Sequence, residues 1–226
     1  MKERLYKTLP RPRMNRADIA EIYERLRRDN PEPETELEYD TPFQLVVAVA
    51  LSAQATDVGV NKATRRLFPE APTPQAMVDL GEERVREHIK TIGLFRNKAK
   101  NVIALSRMIL DEFGGQVPET RDELVRLPGV GRKTANVVLN EAFGQPTMAV
   151  DTHIFRVANR TGMAPGKDPT IVELNLLRVT PDVYLGGGHH WILLHGRYVC
   201  VARTPKCYAC VISDLCRFAK KTPPPK

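Results

Sequence analysis

Helix punctuation is the feature that constrains most of this chain. Thr41-Pro42 and Thr73-Pro74 each place a hydroxyl where the free amides of a first turn need an acceptor, followed by a residue whose φ is already helical. Ala99, Val102, Ile103, Ile109, Leu110 and Phe113 recur at helical spacing and run into Gly114-Gly115, a stop signal. Thr120 with Glu123, and Thr170 with Glu173, have the Thr-x-x-Glu form of a capping box. No segment alternates apolar and polar residues for long between hairpin turns. Val46–Leu51, read alone, would suit a buried strand equally well. The fold class expected is all-α, without internal repeats or a long linker, and with low-complexity sequence only at Thr222–Lys226.

At 226 residues the chain can bury a full core as one large domain or two small ones. The longest apolar stretch, Phe43–Ala53, is too short and interrupted to cross a bilayer. No apolar run follows the basic N-terminus, so a secretory signal is not expected, and the protein is placed in the cytosol or nucleoid. Of the net charge of +7, residues 1–16 carry +5 and residues 217–226 carry +4, which leaves the interior at −2. Charge held in two tails permits a polyanionic partner without demanding one.

Between two helical segments, 121–126 and roughly 132–143, lies Leu127-Pro128-Gly129-Val130-Gly131-Arg132-Lys133-Thr134. Two glycines one residue apart allow a tight turn with bare backbone, and the helix that follows presents free amides to an anion. Such a hairpin can hold a nucleic-acid phosphate without reading sequence, although glycine is also common in ordinary helix–helix turns. Lys133 at that helix start has an evident role as a charge contact. It has a sharper one as an amine nucleophile, if partial desolvation, the helix end and Arg132 together favour the free amine. Asp151, in Val150-Asp151-Thr152-His153, is a preferred N-cap, and a carboxylate held there stays ionised and available for chemistry.

All four cysteines fall in Cys200-x6-Cys207-x2-Cys210-x5-Cys216. Clustering of this kind in a reducing compartment points to metal rather than disulfides. Four thiolates suit tetrahedral zinc or a cuboidal iron–sulfur cluster. Only Cys207 and Cys210 are closely paired, which leans away from the two knuckles of a structural zinc site. The neighbouring His189, His190 and His195 are read as packing or hydrogen-bonding residues, and Trp191 as core.

Leu-Pro-Gly-Val-Gly-Arg-Lys-Thr-Ala-Asn through Asn136, Val-Asp-Thr-His at 150–153, Leu51-Ser52-Ala53-Gln54-Ala55-Thr56-Asp57 and the cysteine spacing after His195-Gly196-Arg197 together resemble the endonuclease III family of DNA glycosylases. The resemblance covers roughly Thr41 through Cys216, with its motifs in the family's order. It implies two helical domains with a cleft between them, 35–145 as a helical bundle with the helix–hairpin–helix, and 1–34 with 146–226 as the cluster domain. Lys133 and Asp151 would be the catalytic pair. Gly129, Gly131, Arg132 and Thr134 would hold phosphate, and Gln54 would fill the space left by an extruded base. Leu94, in Thr91-Ile92-Gly93-Leu94-Phe95, would act as an apolar wedge. Arg96, Lys98 and Lys100 would be phosphate contacts, with Lys206, Arg203 and Arg217 presented by the metal-fixed loop.

Cys200, Cys207, Cys210 and Cys216 would hold a 4Fe–4S cluster. The partner implied is double-stranded DNA with an oxidised pyrimidine or abasic site, met by a monomer. The activity implied is base removal, then strand cleavage by β-elimination through a lysine Schiff base. Competing expectations are a monofunctional adenine or mismatched-thymine glycosylase, a DNA-binding protein without activity, and an RNA-binding zinc module. The sequence departs from the family at Val125, where relatives carry an acidic residue, and Gly186-Gly187-Gly188 looks looser than usual.

Overall fold

In this computed structural model, which describes Tyr6 and residues 8–225, the described residues form ten α-helices and no strand. The all-α expectation holds. The chain divides into two compact units, Thr35–Gln145 and the flanking segments up to Glu34 and from Pro146 onward.

The unit Thr35–Gln145 contains α2 (Pro42–Leu51), α3 (Asp57–Leu67), α4 (Pro74–Ile89), α5 (Phe95–Phe113), α6 (Arg121–Leu124) and α7 (Arg132–Phe143). The ambiguous apolar run is helical. Thr41 accepts from the Gln44 amide, Pro42 occupies the first turn, and every residue from Phe43 to Leu51 is buried. A helix apolar on all sides belongs at the centre of a bundle, where each fully buried Val or Leu contributes about 1.5–3 kcal/mol. Helices α7, α5 and α3 pack against it, and α4 packs in turn on α5 and α3. Gly114 ends α5 at φ +60°, and the Gly115 amide reaches back to the Ile109 carbonyl at 2.9 Å, closing the helix as the glycine pair predicts.

The other unit is built from α1 (Arg16–Asp29), α8 (Thr152–Thr161), α9 (Pro169–Val179) and α10 (Leu185–Tyr198). Its core gathers Ile19, Ile22, Tyr23 and Leu26 of α1 with Ile154, Val157, Val172, Leu176 and Ile192. Tyr23 is fully buried, and its hydroxyl shares a 2.8 Å hydrogen bond with that of Thr180. Trp191 is buried and donates Nε1–H to the Asn30 carbonyl at 2.8 Å, the core role expected of it.

Two local expectations change. Thr120 does cap α6, but α9 starts at Asp168-Pro169 rather than Thr170: the Asp168 carboxylate accepts from the Ile171 amide, and Glu173 is buried further along the helix. Asp followed by Pro is the stronger start signal, and it displaced the Thr-x-x-Glu pattern. The glycine triplet is not loose throughout. A Cβ on Gly187 would lie 2.8 Å from the Trp191 ring and one on Gly188 2.9 Å from Met148 Cε, whereas Gly186 faces open space.

Candidate functional site

The short helix α6 and the long α7 are joined by a turn whose two glycines differ. Gly129 has φ +81°, a left-handed conformation that L side chains rarely adopt, and a Cβ there would meet the Asn101 side chain at 3.0–3.3 Å. Gly131 lies at φ −93° as the N-cap of α7, and a Cβ added there would meet nothing within 4 Å, so its backbone is simply bare. No side chain caps α7, and the amides of Lys133 and Thr134 meet no acceptor among the described residues. This is an open helix N-terminus suited to an anion. Lys133 is exposed, so the desolvation expected from the sequence is not supplied by the free protein. Any drying of the amine must come with what binds it.

Two further loop tips in the same unit carry backbone strain. Gln54, past the end of α2, has φ +55°, and Leu94, immediately before α5, has φ +60°; they are the only non-glycine residues at positive φ among those described. Leu94 is 60% exposed, and no side chain caps the helix it precedes. The Gly93 Cα region packs so close to the other loop that a Cβ there would sit 3.9 Å from the Gln54 carbonyl oxygen. The two tips are therefore neighbours. Strained, exposed side chains of this kind concentrate where function holds them.

Lys98 does not join them. Its side chain is buried at 7% exposure, Nζ has no hydrogen-bond partner, and burial pushes its pKa down. The reading of Lys98 as a phosphate contact is corrected, because the first turn of α5 turns it into the bundle while Arg96 and Lys100 stay exposed. Val125 is an exposed apolar side chain one turn ahead of the hairpin.

Asp151, in the other unit, caps α8. Its Oδ1 accepts from the amides of both His153 and Ile154 at 2.8 Å, which leaves Oδ2 uncommitted among the described residues. A carboxylate can thus cap a helix with one oxygen and keep the other for chemistry.

Cys200, Cys207, Cys210 and Cys216 are all unpaired thiols, and all four line one pocket. Arg160 Nη1 lies 3.6 Å from Cys200 Sγ while its guanidinium donates to the carbonyls of Val201 (2.8 Å) and Ala202 (2.7 Å). His195 Nε2 lies 3.6 Å from Cys210 Sγ. Burial, reinforced by the other cysteines, pushes the Cys210 thiol up to about 11, and Cys216 moves the same way. These two thiols resist ionising alone, and a cationic centre reverses that cost. Among the described residues no three of His, Cys, Asp or Glu are gathered on the position of one metal ion.

Arg156 and Arg160 were missed from the sequence. Arg156 donates to the carbonyls of Cys200 at 2.8 Å and Gly196 at 2.7 Å. Their spacing of four on α8 was visible, but nothing local tells that they reach a loop some forty residues away. Of the basic residues expected round the cysteines, Lys206 and Arg203 are exposed, whereas Arg217 is paired with Asp18 at 3.0 Å.

Comparison with known proteins now fixes the class. The family model described as "HhH-GPD superfamily base excision DNA repair protein" matches residues 47–182. Proteins named endonuclease III from Haemophilus influenzae and Escherichia coli K12 are each 58% identical to this chain over 208 residues, 92% of this chain and 99% of theirs. A solved structure described as a trapped endonuclease III–DNA covalent intermediate aligns at TM-score 0.85 and 42% identity, covering 90% of this chain and 96% of that one. A thermostable thymine-DNA glycosylase, at TM-score 0.74 and 24% identity, shares the fold. The chain belongs to the HhH-GPD superfamily of base excision DNA repair proteins, and within it to the endonuclease III family.

Proposed function

We propose that this chain is a bifunctional DNA glycosylase and AP lyase of base excision repair, with Lys133 as its nucleophile. The observation that carries the reading is the exposed Lys133 on a helix N-terminus whose following amides are unclaimed, behind a bare glycine turn. Gly129, Gly131, Arg132 and Thr134 hold the DNA backbone at that turn through amides and charge. Leu94 enters the stack as a wedge, and Gln54 occupies the gap and hydrogen-bonds the base left without its partner. The positive φ of both residues supports a role for these tips beyond folding.

The Lys133 amine, deprotonated and dried by the bound nucleotide, forms a bond to C1′ of the deoxyribose as the damaged base leaves with the glycosidic electron pair. Asp151 Oδ2 offsets the positive charge that develops on the sugar and relays the proton lost by the amine. Ring opening gives an imine between Lys133 and C1′. Loss of the proton on C2′ then expels the 3′ phosphate, and water releases the lysine. Oxidised or ring-saturated pyrimidines and abasic sites are the substrates, handled by a monomer acting on chromosomal DNA in the cytoplasm. Val125 offers an exposed apolar surface where the family resemblance implies an acidic residue, and base preference is where that difference will be felt.

The four cysteines suit a 4Fe–4S cluster, one thiolate for each iron, because all four are free and line a single pocket. When bound, that group supplies a fixed scaffold for the loop, from which Lys206 reaches a phosphate. The decisive experiment incubates the protein with duplexes carrying thymine glycol or an abasic site, with and without borohydride. A borohydride-trapped adduct and a β-elimination product are expected, both lost in Lys133→Ala. A monofunctional glycosylase would release base without an adduct, and an inert DNA-binding protein would leave the strand whole.

A further inference from the structure

The segment after the last cysteine is tied across the cysteine pocket rather than trailing from it. The Arg217 amide donates to the Thr161 carbonyl at 3.1 Å, and its guanidinium pairs with Asp18 at 3.0 Å. The next residue, Phe218, lies under the Arg160 guanidinium at 4.8 Å, the same guanidinium that faces Cys200 Sγ. Lys221 donates Nζ–H to the Ser213 carbonyl at 2.6 Å, and the Thr222 hydroxyl donates to the Pro205 carbonyl. Phe218 and Lys221 complete the pocket wall alongside the four cysteines. The strap is thus anchored on α8, on the loop between Cys200 and Cys207, and on the turn between Cys210 and Cys216.

We infer that residues 217–222 form a protective strap over the cysteine pocket, which limits access of oxidant and chelator to the group held there. The inference rests on the reading that the four cysteines hold an iron–sulfur cluster. Solvent exposure and nearby charge are two of the levers a protein has on such a cluster. Phe218 acts on the first by covering the pocket with an aromatic face pinned by Arg160, a cation–π contact. Lys221 acts on the second, placing a positive charge beside a group that four thiolates make negative. Neither residue belongs to the hairpin, the loop tips or Asp151, so the strap can be weakened without touching the DNA chemistry.

The test uses the full-length holoprotein, Phe218→Ala, Lys221→Gln and a chain ending at Arg217. Iron content is measured first; a wild-type chain with no iron and no visible absorption would overturn the cluster reading itself. Loss of visible absorption and release of iron to a ferrous chelator are then followed in air and in dilute peroxide. In Phe218→Ala the loss should be roughly tenfold faster than in the full chain, about 1.4 kcal/mol on the local opening equilibrium, with initial iron content and helicity unchanged. The shortened chain should lose iron at least as fast. Should it fail to load iron, the two point variants decide. Equal rates in full-length protein, Phe218→Ala and Lys221→Gln would refute the strap.

Discussion

Gly129 and Gly131 look interchangeable in the string Gly-Val-Gly, yet the structure assigns them opposite consequences when each is changed to alanine. At Gly129 a side chain must be carried at φ +81° and its Cβ must be fitted 3.0–3.3 Å from three atoms of Asn101. The left-handed conformation costs roughly 1–2 kcal/mol and the overpacking another 1–2, so Gly129→Ala should lose about 2–4 kcal/mol of stability. With a urea m-value on the order of 2 kcal/mol per M, the unfolding midpoint should fall by about 1–2 M. At Gly131, φ is −93° and no atom lies within 4 Å of the added carbon. Gly131→Ala should therefore stay within about 0.5 kcal/mol of the parent, reduced unfolded-state entropy offsetting the poorer N-cap. Its methyl would nevertheless occupy the open space in front of the bare turn, where a phosphate must approach the helix start. Losing one amide–phosphate bond, worth about 1.5–3 kcal/mol, should weaken duplex binding roughly tenfold or more. Urea unfolding by circular dichroism and fluorescence anisotropy on a labelled abasic-analogue duplex, at one fixed salt concentration, measure the two effects separately. Equal destabilisation of both variants, or unaltered duplex binding by Gly131→Ala, would refute the assignment.

Lys98→Met should raise stability, by about 1 kcal/mol or more in urea unfolding at pH 7, because it replaces an unpartnered buried amine with an apolar side chain of similar length. Burial pushes the His190 imidazole down to about 4, below its value in an unfolded chain. Its contribution is therefore unaffected above about pH 6.5 and is lost as pH falls from 6.5 towards 4, on the order of 2–3 kcal/mol in all. The unfolding midpoint should drop across that window, and His190→Gln should flatten the drop. In the glycine triplet, Gly186→Ala should gain roughly 0.5–1 kcal/mol, since its Cβ meets nothing. Gly187→Ala should destabilise and shift Trp191 fluorescence, because its Cβ would press on the indole. Gln54→Gly should relieve the strain at φ +55° and keep or raise the thermal midpoint while base excision falls, a split that a purely structural glutamine would not produce.

Helix starts, stops and periodicity are local, and so the all-α fold was legible before any coordinates: caps at Thr41, Thr73 and Thr120 and the stop at Gly114 all stand where the sequence put them. The candidate chemistry was legible for the same reason, since a glycine turn feeding a lysine, an aspartate ahead of a helix, and four close cysteines are each contained in a short string. What the sequence left open were properties of surroundings. Lys98 reads like its exposed neighbours Arg96 and Lys100 until the helix phase against the bundle buries it. Gly129 and Gly131 read alike until Asn101, from another helix, occupies the space beside only one of them. Arg156, Arg160 and Phe218 carried no sign of what they touch, because their partners at the cysteine pocket lie far along the chain. Residue type and spacing determine what a segment can become and what chemistry it can offer. Which side chains are dried, pinned or left open is decided only when distant segments pack, since burial and close contact are sums over neighbours that no local string contains.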